Sequence, residues 1–396
     1  MIRKYYLTLF CVIYVVQLQG QNDNEYFKFI TEQKTSAKDY IIELFKEKDI
    51  VVFSERNHAE VEQYNLLLDV IKDPYFIKNV GAIYLEVCCV NNSSKINDFL
   101  VHEGYDTIQA YKETTKLYQL GNTMHLWNCY SYPWLIYNLY NLNQNLSNEN
   151  KIHLYGCEIE FDWANYKTPE EYATIDPILA VRDSLMAQNF IEQYTNIQKY
   201  RNGKKKALVI MNSRHGYLKD THRSETEIRK NTGRYLYDKY KNRIASVFIM
   251  SPGHPNGWDK YELIKTGKWD AIFELTGKTG KTSMGFNFKN TPFGKETFDW
   301  TPEGWTLDKY RYEDVFTGIV YYKPIEEHIL KRGWENSITD DFKPEFIRRM
   351  KIMDFDDEEI ESEVKIEKTV RSQQYYNIVE FRNEIDSWKE KLKYIY

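Results

Sequence analysis

The stretch Ile50-Val51-Val52-Phe53-Ser54-Glu55-Arg56-Asn57-His58-Ala59-Glu60-Val61-Glu62 decides the fold. Its four leading apolar residues, three of them β-branched, read as a strand buried on both faces, as in the interior of a parallel sheet. The apolar run then gives way to a polar turn that holds Glu55 and His58 three positions apart. Val61, Tyr64, Leu67, Leu68 and Ile71 follow at spacings of three and four, the period of an amphipathic helix. Strand, polar turn and helix in succession place a carboxylate and an imidazole at a strand's carboxyl end, where open α/β sheets bind ligands.

Working outward, the pattern recurs. Residues 24–48 predict an amphipathic helix leading into the first strand. A second strand over residues 81–85 closes on Glu86, a third over 152–155 runs into Gly156-Cys157-Glu158, and a fourth over 207–211 runs into Asn212-Ser213-Arg214-His215. A fifth is expected at 245–250, with His254 in the loop after it, a short strand near 269–275 and a late strand at 315–322. Helices are expected at 176–200 and 225–240. Between the second and third strands, residues 95–148 carry helical, aromatic-rich patterns and no strand signal, which predicts a helical insertion, and residues 340–396 read as a helical tail. The fold class is therefore α/β: a mostly parallel central sheet flanked by helices, in one domain over residues 21–396.

Composition narrows the function. The chain has 396 residues, 42% hydrophobic and 28% charged, as in a globular domain. Its net charge of −5 offers no basic surplus for phosphates, so nucleic acid is not an expected partner. Arg3 and Lys4 followed by an apolar run over residues 7–16 read as a secretory signal ending near Gly20, too short to span a bilayer. The protein is expected to be exported, periplasmic or extracellular, with no transmembrane anchor in the mature chain. Of the four remaining cysteines, Cys88, Cys89, Cys129 and Cys157, none has zinc-site spacing, and one bridge, such as Cys157 with Cys88 or Cys89, fits an oxidising compartment. The run Gly277-Lys278-Thr279-Gly280-Lys281-Thr282 is not a phosphate loop, because Leu275 stands where the motif needs its first glycine.

Two imidazoles and three carboxylates at the ends of four strands admit two chemistries. A histidine held by a glutamate serves as a general base on water. Alternatively Glu55, His58, Glu86 and His215 hold a divalent metal that activates the water. No GxSxG or HExxH motif is present.

The segment Ser54-Glu55-Arg56-Asn57-His58-Ala59 with Glu62 resembles the Gly-Glu-x-Thr-His-Gly-x-x-Glu signature of erythromycin esterase-like proteins. The order of later features is also similar: Leu85-Glu86, Trp127, Tyr155-Gly156-Cys157-Glu158, then Arg182-Asp183 with Met186, Ala187 and Asn189, then His215, then Asn231-Thr232-Gly233-Arg234-Tyr235-Leu236. The resemblance covers residues 48–250, and the wider superfamily includes haem-binding ChaN-like lipoproteins and Tiki-type metalloproteases. It implies His58 as the base, Glu55 and Glu86 as its orienting groups, and His215 as the second histidine. Glu62, Glu158, Arg182, Asn189 and Asn212 then fall to a small-molecule substrate. Ser54 and Ala59 stand at the family's glycine positions, and Asn212 stands where a further histidine is usual. The implied activity is hydrolysis of an ester, lactone or related bond, with a haem- or iron-binding protein and a metal-dependent peptidase as alternatives. Whether the cofactor is a divalent metal, haem or none stays open at this stage.

Overall fold

A computed structural model describes residues 23–197, 204–224, 226–254, 260–277, 283–300, 306, 309–367 and 369–394. The signal-like segment and the run 278–282 lie outside the described residues. Eleven strands are described in chain order: β1 (Ile50–Glu55), β2 (Ala82–Cys89), β3 (His153–Glu158), β4 (Ala207–Asn212), β5 (Thr221–His222), β6 (Ile228–Arg229), β7 (Ile244–Ile249), β8 (Ser283–Asn287), β9 (Gly318–Tyr322), β10 (Leu330–Arg332) and β11 (Arg371–Gln373). Seven of them form one sheet in the order β3-β2-β4-β1-β7-β9-β8, and two short two-stranded sheets, β5 with β6 and β10 with β11, stand apart. Every neighbouring pair of the sheet is parallel except β8 with β9. The architecture is α/β.

β1 sits centrally because its six residues are buried on both faces. Val51 and Phe53 enter one core with Ile83, Leu85, Leu208 and Ile210, whereas Ile50 and Val52 enter the other with Tyr84, Val209 and Met211. The period-two alternation thus divides a continuous apolar run between two helical layers. It also explains the cysteines. Cys88 points into the first core, Cys157 into the second and Cys89 into a third cluster. All four expected cysteines are therefore buried free thiols, and the expected bridge is not formed.

Several sequence-based boundaries shift. Residues 24–48 form two helices rather than one: 23–32 and Ala37–Glu47, the second capped by the Ser36 side chain. The expected helix over 176–200 is likewise split, into Asp176–Ala180 and Arg182–Ile197. The helix expected from 225 starts only at Thr232. β2 runs past Glu86 to Cys89 through a register irregularity against β3. The short strand expected at 269–275 is instead the helix Lys268–Gly277, since a short apolar run fits both periods. The antiparallel edge β8 lies beyond the glycine-rich loop, where no strand was expected. The insertion contributes helices Ser93–Val101, Thr107–Gln119 and Ser131–Asn143. The tail divides: Phe346, Met350 and Ile360 join the core of the insertion, and Phe381, Ile385 and Leu392 pack with Trp269 and Ile272. No helix among the described residues is long and apolar enough to cross a membrane.

Arg56 fastens the strand ends together. Its side chain is buried, and its guanidinium donates to the Met250 carbonyl (2.8 Å) beyond β7, to the Tyr322 carbonyl (2.8 Å) at the end of β9, and to Glu60 (3.1 Å). Glu60 in turn accepts the backbone N–H groups of Glu62 and Gln63 that open helix Glu62–Ile71. Removing one partner of such a buried pair leaves the other charge uncompensated. Arg56→Ala is expected to destabilise the fold by about 3–5 kcal/mol, read by equilibrium urea unfolding; a loss no larger than that of an exposed-residue control would show that Arg56 does not carry this role.

Candidate functional site

Glu55 is fully buried at the end of β1. One of its oxygens bonds Nδ1 of His58, and the other accepts the Tyr64 hydroxyl at 2.8 Å. Tyr64 arrives on the helix that follows the turn, so strand, turn and helix together hold the pair. The His58 ring also packs edge-on against Trp127, with ring centroids 4.9 Å apart, and the Ser131 hydroxyl donates to its carbonyl. Burial alone would push His58 down, but the carboxylates of Glu55 and Glu86 outweigh it, and the imidazole is held above its ordinary value.

A second buried cluster adjoins this pair. Glu86 on β2 accepts the Arg182 guanidinium (3.1 Å), the Asn212 backbone N–H (2.6 Å) and lies 3.2 Å from Nε2 of His215. Arg182, at the start of its helix, also bonds Glu158 at the end of β3 through Nε (2.7 Å) and a terminal nitrogen. Burial penalises the Glu86 carboxylate, yet His215 and Arg182 hold it well below the usual carboxylate range. His215 is buried, and its Nδ1 meets Asp183 at 2.6 Å. Burial acts to lower its pKa, but Asp183 and Glu86 raise it above the ordinary value. Asp183 is itself fixed by the Thr232 backbone N–H (2.8 Å) and hydroxyl (2.9 Å) and by Arg229 (2.9 Å). The turn carrying His215 can lie this close to β1 because Gly216 has no side chain: a Cβ there would meet Ser54 Oγ at 1.9 Å.

These groups border a cavity of about 680 Å³. Its lining includes His58, Glu86, Glu158, Arg182 and Asn212 among the residues singled out in the sequence, together with His254. Glu55 and His215 stand behind that lining, each bonded to a residue that forms it. Glu62 and Asn189 do not line it. Glu62 pairs with Lys323 at 2.6 Å, and Asn189 donates to the Cys157 (3.1 Å) and Glu158 (3.0 Å) carbonyls, tying its helix to β3.

The sequence reading named Asp183, Tyr64 and Trp127 but gave them no role in the site, and the segment Thr123–Cys129 forms one wall of the cavity. Asp183 sat in plain view beside Arg182. Trp127, a residue of the family resemblance, lies in this wall, whose remaining residues follow no period and take their places through packing.

Ligand atoms of Glu55, His58 and Glu86 lie within 4.8 Å of one another, which makes the trio the geometric candidate for a metal. Its donors are already engaged, however. Glu55 serves His58 and Tyr64, and Glu86 serves Arg182, His215 and Asn212. A divalent cation there would compete with these hydrogen bonds and sit beside the Arg182 guanidinium of like charge, which disfavours a metal at this trio.

No family model matches the chain, and no curated protein matches it. Among solved structures, the chain is similar to an erythromycin esterase mutant in its open conformation (TM-score 0.46, 11% identity, 71% of this chain and 91% of that one). It is also similar to a succinoglycan biosynthesis protein (TM-score 0.45, 12% identity, 72% and 90%). A Bacillus cereus protein is similar as well (TM-score 0.43, 11% identity, 76% and 97%).

Proposed function

We propose that the protein is an exported hydrolase in which His58 activates water against an ester, lactone or related bond of a small molecule. The observation that carries this reading is the Glu55–His58 pair at the cavity. With Nδ1 committed to a buried carboxylate, neutral His58 keeps its lone pair on Nε2, in a residue that lines the cavity. The raised pKa strengthens the base. The cavity volume falls within the roughly 300–1,000 Å³ usual for small-molecule sites.

Arg182 supplies the complementary electrophile. Of its five N–H bonds, those already engaged leave at least one uncommitted among the described residues, and Arg182 lines the cavity. A fixed donor of this kind stabilises the oxyanion that forms when water adds to a carbonyl. His215 and Asp183 act behind it: Asp183 holds Nδ1 of His215, whose Nε2 lies 3.2 Å from both Glu86 and Arg182 and so fixes the place of the pair. Export is supported by the charged and then apolar pattern of the first twenty residues.

His58→Ala is expected to lower kcat/KM on a panel of esters and lactones by about 10²–10⁴-fold while circular dichroism and melting stay unchanged; an unaffected rate removes His58 from the mechanism. Because Glu55 raises the His58 pKa, the base is active only above that raised value. Glu55→Gln should therefore move the acid limb of the kcat/KM profile to lower pH and reduce the plateau. A limb that stays in place would detach Glu55 from His58. Prolonged dialysis against EDTA is expected to leave the rate unchanged, and a loss restored by added zinc would replace this reading with a metal-dependent one.

A further inference from the structure

Tyr118, on the insertion helix Thr107–Gln119, faces two acceptors with one proton. Its hydroxyl lies 3.0 Å from the Trp127 carbonyl oxygen and 3.1 Å from Oε2 of Glu367. A phenol has a single O–H to donate. Glu367 closes the tail helix Asp357–Glu367 and is completely buried, and its Oε1 meets no donor among the described residues. As a carboxylate it would rely on Tyr118 alone, which would take that proton away from Trp127. A neutral carboxyl resolves the count: its O–H donates to the Tyr118 oxygen, and Tyr118 donates to Trp127. Trp127 lies in the cavity wall, with its ring edge-on to His58.

We propose that Glu367 is a positioning residue whose protonation state directs the Tyr118 hydroxyl to Trp127 and thereby sets the wall packed against His58. The link from that wall to turnover rests on the hydrolase reading; the switch itself does not. The groups facing Glu367 are few. Tyr118 comes from the insertion, Glu363 from one turn earlier on the same helix, and Arg332 from β10, while the Cys129 thiol is within electrostatic reach. Burial and Glu363 outweigh Tyr118 and Arg332, and push the carboxyl up to about 7. The bond to Trp127 is thus present below that value and is lost as pH rises through it.

The test is the emission of Trp127 in the His58→Ala protein, which lacks the neighbouring titrating imidazole, taken as the difference between that protein and its further Trp127→Phe variant, as pH is raised through 7. A change centred near 7 is expected. It should be absent in Glu367→Gln, whose amide N–H keeps Tyr118 on Trp127, and absent in Tyr118→Phe. With His58 replaced by Ala throughout, a change that persists in either folded variant, or no titration in the protein that keeps Glu367 and Tyr118, overturns the proposal. With an ester substrate, the ratio of kcat/KM for Glu367→Gln to that of the unmodified protein should grow as pH passes 7, and a constant ratio contradicts the coupling to His58. The emission result needs no turnover, so it stands even if the hydrolase reading fails.

Discussion

Two carboxylates buried within reach of one guanidinium constrain everything around them. Glu86 and Glu158 come from neighbouring strands, and Arg182 from the helix that crosses back after β3. Several kcal/mol are at stake for each buried ion left without a partner. The helix start therefore cannot drift from the strand ends without exposing or stranding charge. Because Asp183 follows Arg182 directly, the same constraint places the acceptor for His215. One helix terminus thus sets the register between β2, β3 and the turn after β4, and the cavity lies over that junction.

The Glu55–His58 pair is built differently, within a single strand–turn–helix unit. Its partners are nine residues apart at most, and Tyr64 closes the unit from the helix. This local origin explains why it was legible. A buried strand, an ionisable turn and a helical period are all written in consecutive residues, and so were the parallel sheet and the carboxylates past the strand ends. Whatever depends on long-range packing was not. Glu62 shared the helix face suggested by the motif spacing, yet it turns away to Lys323. Asn189 shares one helical stripe with Arg182, but spends its amide on strand carbonyls. The apolar run at 269–275 fits either period, and only its packing under Phe381 and Ile385 makes it a helix.

The cavity wall shows the same division. Residues 123–129 hold no regular structure, and their conformation is borrowed from neighbours distant in sequence. Asn122 ties the segment to the Val87 carbonyl, Arg349 from the tail donates to the carbonyls of Gln119 (2.8 Å) and His125 (3.1 Å), and Tyr172 donates to Thr123. The tail is therefore part of the site's framework, although its sequence reads only as acidic helix. The departures from the family-like signature have local compensations too. Ser54, standing at a glycine position, bonds Ser246 at 2.9 Å and occupies the space that Gly216 leaves free.

The central claim is that Glu55 fixes His58 with its basic nitrogen turned to the cavity. Histidine-selective ¹⁵N nuclear magnetic resonance, with the signal assigned by its loss in His58→Ala, tests this most directly. The expected result is a His58 titration above the ordinary 6.5 whose neutral form carries its proton on Nδ1. A titration below that value, or a neutral form protonated on Nε2, would point the lone pair at Glu55 and contradict the account.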